Sequence, residues 1–314
     1  MPATKEIKRR IKSVKNTKKI TKAMELVSAA KMKRAVASTL ASRAYSEYSW
    51  EMLTSVSENI SELTHPLFVE RDVKRVLLVL VTSNRGLCGG YNSQVIKKTL
   101  SYLRGEHSNA PVEVVAVGKK GDSAMRRIGQ DVVATFMELP ESVKLRDIAP
   151  ISQMVMNEYI AGKYDKVYVA YTDYVSALTQ KPNIKQILPI SKTALKEMIE
   201  EEKEFSSPDK GRAGRGLTPQ PPLSGGAQAV YLFEGDQDQL LGLLAEKLSR
   251  MQIYQMLLES KASEESSRMV AMKNASEAAG EMIGDLTLVF NKARQASITQ
   301  EISEISAGMA SVSS

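Results

Sequence analysis

More than fifty consecutive residues, from Lys5 to Leu63, contain neither proline nor glycine, and Ile7, Ile11, Val14, Ile20, Met24 and Val27 recur along them at helical spacing. This predicts one unbroken N-terminal helix within residues 1–65. At 1.5 Å per residue it would be roughly 80 Å long, beyond the girth of a compact domain. Such a rod cannot bury its apolar stripe against itself, so it needs a partner of similar length.

The other end of the chain supplies one. Across residues 236–314 the helical pattern is interrupted only by Gly242, Gly280, Gly284 and Gly308. Met272, Ala275, Ala279, Met282, Leu286, Val289, Ala293 and Ala296 alternate steps of three and four, the period of a left-handed coiled coil. Small residues on both segments, among them Ala23, Ser28 and Ala29 and Ala275, Ala278 and Ala279, favour close approach of the backbones. Past Ala296 the apolar positions shift to Ile298, Ile302, Ile305, Met309 and Val312. An antiparallel partner starting near residue 5 ends at about that level. The C-terminal tip is therefore expected to project alone and meet another protein.

Between the arms the pattern changes to alternation. Residues 76–81, 112–117, 132–136 and 166–171 read as strands, 183–189 as a possible last strand, and 93–104, 123–128 and 145–162 as helices. The expectation is an α/β chain: a long antiparallel coiled coil of N- and C-terminal helices with an inserted Rossmann-like α/β domain at 75–191. Residues 203–230 are rich in proline and glycine without a periodic apolar face, the composition of a flexible insertion.

The loop in LLVLVTSNRGLCGGYNSQVIKK, residues 77–98, follows an apolar strand and opens a helix, the layout of a phosphate-binding turn. Its spacing fits neither template. After Gly89 and Gly90 come Tyr91 and Asn92 in place of the Lys and hydroxyl of a P-loop, and Gly86 and Gly89 are three apart rather than two. The remaining use of the glycines is a sharp turn that lets the next helix pack close. No G-x-S-x-G, H-E-x-x-H or C-x-x-C occurs, and Cys88 is the lone cysteine, read as a small buried thiol. No active site, metal or cofactor is expected.

Charge is concentrated at one end. Residues 1–34 carry twelve Lys and Arg against Glu6 and Glu25, a net +10 in a chain whose total is +7, so the other 280 residues sum to −3. Such a helix suits nucleic acid, an anionic surface or an acidic protein partner. No apolar run approaches the ~20 residues of a membrane span, so no direct membrane insertion is expected. The opening residues lack the apolar core of a secretory signal, which points to the cytoplasm.

KEIKRRIKSVKNTKKITKAMELVSAAKMKRA (5–35), TSNRGLCGGYN (82–92), KASEESSRMVAM (261–272) and NKARQASITQEISEI (291–305) together resemble the gamma subunit of the rotary F-type ATP synthase. The resemblance covers nearly everything outside roughly 200–235. It implies a shaft that performs no bond chemistry and whose coil penetrates a hexamer of three alpha and three beta subunits. The α/β domain would face the epsilon subunit and the membrane c-ring, with the assembly peripheral on the cytoplasmic side of the cell membrane. A basic coiled-coil protein that binds nucleic acid is the alternative.

By motif, the resemblance implies that Arg268, Arg294 and Gln295 contact beta-subunit loops and that Met24 lies in a sensitive part of the shaft. Thr299 and Glu301 belong to the same closing motif. The basic face of Lys8, Arg9, Lys18, Lys19 and Lys22 would meet acidic segments of beta, where screened attraction tolerates sliding. Two positions depart from the family pattern: Asn84 stands where Asp is usual, and Met309 where a small Ala is usual.

Overall fold

The computed structural model describes the backbone of residues 2–58, 65–105, 110–137, 139–190 and 237–312, and the side chains of these except 2–3, 43–58, 237–241 and 308–312. Two helices dominate, α1 (Pro2–Glu58) of 57 residues and α5 (Gln237–Val312) of 76. Residues 203–230 lie outside the described residues, as do the side chains of Met309 and Val312.

The two helices run antiparallel. A Cβ on Gly280 would meet the Lys18 side chain, Ile283 lies beside Lys15, and Leu258 and Lys261 lie beside Ala35 and Ser38. This register brings the start of α1 level with about residue 294, so the last turns of α5 extend past their partner. Ile298, Ile302 and Ile305 there are exposed, as the phase shift predicts.

The seam itself differs from the expected one. On α1 the inward positions include Thr4, Ile7, Ile11, Val14, Thr21, Ser28, Thr39 and Ser42, all on one heptad stripe. Ile20 and Val27, expected inside, are 61% and 54% exposed. On α5 the stripe passes through Met272, Ser276, Ala279, Ile283, Leu286, Phe290 and Ala293, while Met282 and Val289 are 52% and 49% exposed. Apolar neighbours such as Met282 and Ile283 fit three-and-four spacing equally well. The position of α1 selects the second of each pair. Small hydroxyl residues occupy the α1 seam because the helices approach closely. Thr21 and Thr39 satisfy their buried hydroxyls by donating to the carbonyls of Lys18 and Ala35 on their own helix.

The inserted domain is a five-stranded sheet of order β3-β2-β1-β4-β5. Its strands are β1 (Val76–Val81), β2 (Val112–Val117), β3 (Val132–Phe136), β4 (Lys166–Tyr174) and β5 (Gln180–Leu188). The first four are parallel and β5 pairs antiparallel with β4. Helices α2 (Tyr91–Arg104), α3 (Lys119–Arg127) and α4 (Ala149–Ile160) connect them. The expected order of elements is present, with β5 beginning three residues earlier than read.

Central strand β1 is buried on both faces, as a parallel strand between two layers must be. Leu77, Val79 and Val81 pack with Ile151, Val155 and Tyr159 of α4 and with Leu248, Ile253 and Leu257 of α5. Val76, Leu78 and Leu80 pack with Val95 of α2 and Met125 of α3. The C-terminal arm is thus one layer of the domain before it becomes half of the coil.

Candidate functional site

Strand order reverses between β1 and β4, and beyond the carboxyl ends of those strands a Rossmann-type sheet leaves its ligand crevice. Here α5 runs through that space. Ser263 donates to the carbonyl of Thr172 (3.2 Å), Ser266 to that of Ala177 (2.6 Å) and Ser267 to that of Cys88 (2.7 Å). The hydroxyls of Tyr91 and Ser260 lie 2.6 Å apart, and burial pushes the Tyr91 phenol well above its ordinary pKa. Gly89, at φ +53°, is where the loop touches the helix. A Cβ there would lie 3.0 Å from Ser267 Oγ and 3.7 Å from Ala271 Cβ.

The N–H groups that open α3 are taken by the chain's own acceptors. At α3, the N–H of Lys119 donates to Asn84 Oδ1, that of Lys120 to the Ser83 carbonyl and that of Gly121 to Thr82 Oγ1. The Asn84 amide also donates to the carbonyl of Met137, a bond that a carboxylate cannot make. Asn92 Oδ1 takes the N–H of Ser83. The space remaining between Thr82, Asn84, Tyr91, Val117, Leu257 and Glu264 is a cavity of about 50 Å³. Nucleotide-sized ligands need several hundred. The loop is a strand-to-helix turn, as read. Cys88 is buried at 2% exposure, its sulfur 3.1 Å from the Asn92 amide.

Sequence reading missed this seam of serines. The signal was present in SKASEESSR, where residues 260, 263, 266 and 267 share one face of an otherwise helix-favouring segment.

Beside the serines lies a buried ionic cluster. Arg268 Nη2 is 2.6 Å from Glu264 and Nη1 is 2.8 Å from Glu265, and Lys261 approaches the same two carboxylates at 3.1 and 4.0 Å. Arg268, Glu264 and Glu265 are all less than 9% exposed. Burial alone lowers the guanidinium pKa, but Glu264 and then Glu265 outweigh it and hold the group above its ordinary value. Arg268 therefore departs from its expected place as an outward contact. Its two terminal nitrogens are directed to carboxylates of its own helix. Nearby, Lys31 of α1 reaches Glu141 of the loop after β3, tying the first helix to the domain.

The remaining expected residues lie on the outside of the coil. Lys8, Lys18, Lys19 and Lys22 share one groove with Lys12 and Lys15, floored by Ile11, Ala23, Leu26 and Ile283, with a volume of about 1010 Å³. Arg9 is exposed but stands apart from it. Met24 is half-buried one turn further along. Arg294, Gln295, Thr299 and Glu301 are exposed where α5 loses its partner, with the Thr299 hydroxyl donating to the Gln295 carbonyl. The coil is unusual in polarity: Thr21, Ser28 and Thr39 are inside, whereas Ile20, Leu26, Val27, Leu40, Leu288 and Val289 are outside.

The chain is a Rossmann-like domain whose crevice its own helix fills, carried on a coil with apolar side chains turned outward. The family model described as ATP synthase matches residues 3–312. The ATP synthase gamma chain of Heliobacterium modesticaldum is 40% identical over 312 residues, 99% of this chain and all of the relative. That of Dehalococcoides mccartyi is 38% identical over 98% of both chains. The chain belongs to the ATP synthase gamma chain family. Solved structures show the same fold. One is a chain of Euglena gracilis mitochondrial ATP synthase, OSCP/F1/c-ring in rotational state 3, with a TM-score of 0.64 at 20% identity, covering 99% of this chain and 95% of that one. Another is a chain of the Tetrahymena thermophila central stalk and c-ring, with a TM-score of 0.55 at 24% identity, covering 82% and 99%.

Proposed function

We propose that this chain is the central rotor shaft of an F-type ATP synthase, coupling ion-driven rotation of a membrane ring to conformational change in catalytic subunits while catalysing nothing itself. The observation that carries the reading is the set of large apolar side chains that the coil turns outward. Large apolar residues exposed along a rod of this length, with small hydroxyls inside, suit a shaft enclosed by other subunits. Membership of the gamma chain family supports it. The partners are three alpha and three beta subunits around the coil, and the epsilon subunit and c-ring at the α/β domain. Among the described residues no helix is long and apolar enough to cross a membrane; the position proposed is peripheral, on the cytoplasmic face.

An asymmetric shaft presents different side chains to three otherwise equivalent beta subunits. Each bound conformation is favoured only by its differential contact energy, so turning the shaft moves the preference from one subunit to the next. On this reading Arg294, Gln295, Thr299 and Glu301 are contacts at the exposed end of α5, with Met24 further down the shaft. The groove of Lys8, Lys18, Lys19 and Lys22, with Arg9 beside it, faces acidic segments of beta.

Co-expression with the alpha and beta subunits of the same organism tests the proposal. The expected product is an ATPase-active complex containing the chain. An active alpha/beta assembly that forms without it, at equal expression, overturns the reading.

A further inference from the structure

Torque raised at the α/β domain must reach the coil without the domain turning on the helix that carries it. The fold offers a specific device for this. Helix α5 passes over the carboxyl ends of β1 and β4 with hydroxyls at 260, 263, 266 and 267, and each reaches a different part of the domain. Ser267 holds the turn after β1, Ser263 holds β4 at Thr172, Ser266 holds the β4–β5 hairpin at Ala177, and Ser260 meets Tyr91 at the start of α2. Gln180 of the same hairpin lies 3.4 Å from Ser266.

Ser260, Ser263 and Ser266 are fully buried and Tyr91 nearly so. Alanine would fill almost the same volume without the desolvation cost of a hydroxyl. What the hydroxyls add is direction. Bonds from one helix face to three separated backbone carbonyls and one tyrosine hydroxyl cannot all persist if the helix turns about its axis or slides, whereas apolar contacts there tolerate both. The glycine at 89 lets the turn come close enough for the Ser267 bond.

We propose that Ser260, Ser263, Ser266 and Ser267, with Tyr91, form a torsional mount that locks the α/β domain to the shaft helix and passes torque between them. They are positioning residues. The inference rests on the rotor-shaft reading above and adds the part of the chain through which the load crosses.

The test uses the complex of this chain with alpha and beta subunits. A bead is fixed to the α/β domain through Ile128→Cys, a half-exposed position away from the seam. Its angular fluctuation is recorded with ATP withheld, and rotation and bulk hydrolysis with ATP present. With S263A/S266A/S267A the variance of the bead angle should rise about twofold, three of four directional bonds being lost, while hydrolysis remains within about twofold of the unmutated chain. Tyr91→Phe, which removes one hydroxyl and keeps the ring, should broaden the distribution in the same direction and decides the matter if the triple variant fails to assemble. An unchanged distribution overturns the mount. So does broadening matched by an equal loss of hydrolysis, which marks general loosening. A bead on the unmutated chain that never turns under ATP overturns the shaft reading instead.

Discussion

Replacing Arg268 by alanine separates a group that holds the fold from one that serves a partner. The change leaves Glu264 and Glu265 buried at 6% and 4% exposure without the guanidinium that lies 2.6 and 2.8 Å from them. Stripping one partner from a buried ion pair costs 3–5 kcal/mol. Lys261 stays within 3.1 Å of Glu264 and 4.0 Å of Glu265, which favours the lower end, about 3 kcal/mol. For a chain of this size that corresponds to roughly 6 °C in melting temperature. Arg268→Lys should fall between, since a single ammonium cannot fork to both carboxylates. Arg294→Ala, on an exposed turn, should stay within about 0.5 kcal/mol. Urea and thermal unfolding of the three purified variants, followed by circular dichroism, measures all of this. If Arg268→Ala proves as harmless as Arg294→Ala, the cluster does not hold the joint and the argument from burial is wrong.

Other perturbations probe separate parts of the chain. Gly118→Ala places a Cβ 2.2 Å from the Thr82 carbonyl at a φ of +98°, and should cost roughly 2–5 kcal/mol; an unchanged urea midpoint would contradict the packing of α3 on the end of β1. Asn84→Asp loses the donor to Met137 and should cost about 1 kcal/mol, read from the same midpoint. The hydrogen bond from Lys31 and its charge hold the Glu141 carboxyl below its ordinary pKa. Its contribution is therefore present above the usual glutamate range and lost as pH falls through the lowered value. A carboxyl NMR titration of the chain should place the Glu141 midpoint below 4.5, returning towards it in Lys31→Ala or high salt. In the assembled enzyme Arg294→Ala should lower ATP-driven ion pumping several-fold more than it lowers thermal stability; equal losses would assign Arg294 to folding.

The arms, the sheet and the order of its strands were legible because each rests on a periodicity counted from one segment. Val76–Val81 is apolar on both faces, and only a central strand between two layers fits that. The exposed tip was legible for the same reason, since a change of phase shows in α5 alone. The coil's facing residues were not, because Met282 and Ile283 differ by one step and the choice depends on where α1 lies. Arg268 and the serines were obscured by their chemistry. An arginine in a helix with two glutamates reads as surface until the element covering it is known, and Ser263 looks like an indifferent helix residue until Thr172, 91 positions earlier, arrives beneath it.

That arrival explains how a nucleotide-type fold serves a mechanical part. In such a sheet the switch point is where backbone groups are left over, and a ligand ordinarily takes them up. Here the carbonyls at residues 88, 172 and 177 are taken by serines of α5, and the N–H groups opening α3 by Thr82, Ser83 and Asn84. A bound ligand would leave the domain free to move whenever it dissociated; a covalently continuous helix never dissociates. The surfaces divide along the same physical line. In the proposed shaft the lysine groove would act through charge, whose attraction varies gently over about 10 Å and so permits turning past successive partners. The serine seam acts through bonds that weaken steeply with angle and so resists turning. A rotor requires both properties, and the chain places them on different stretches of its helices.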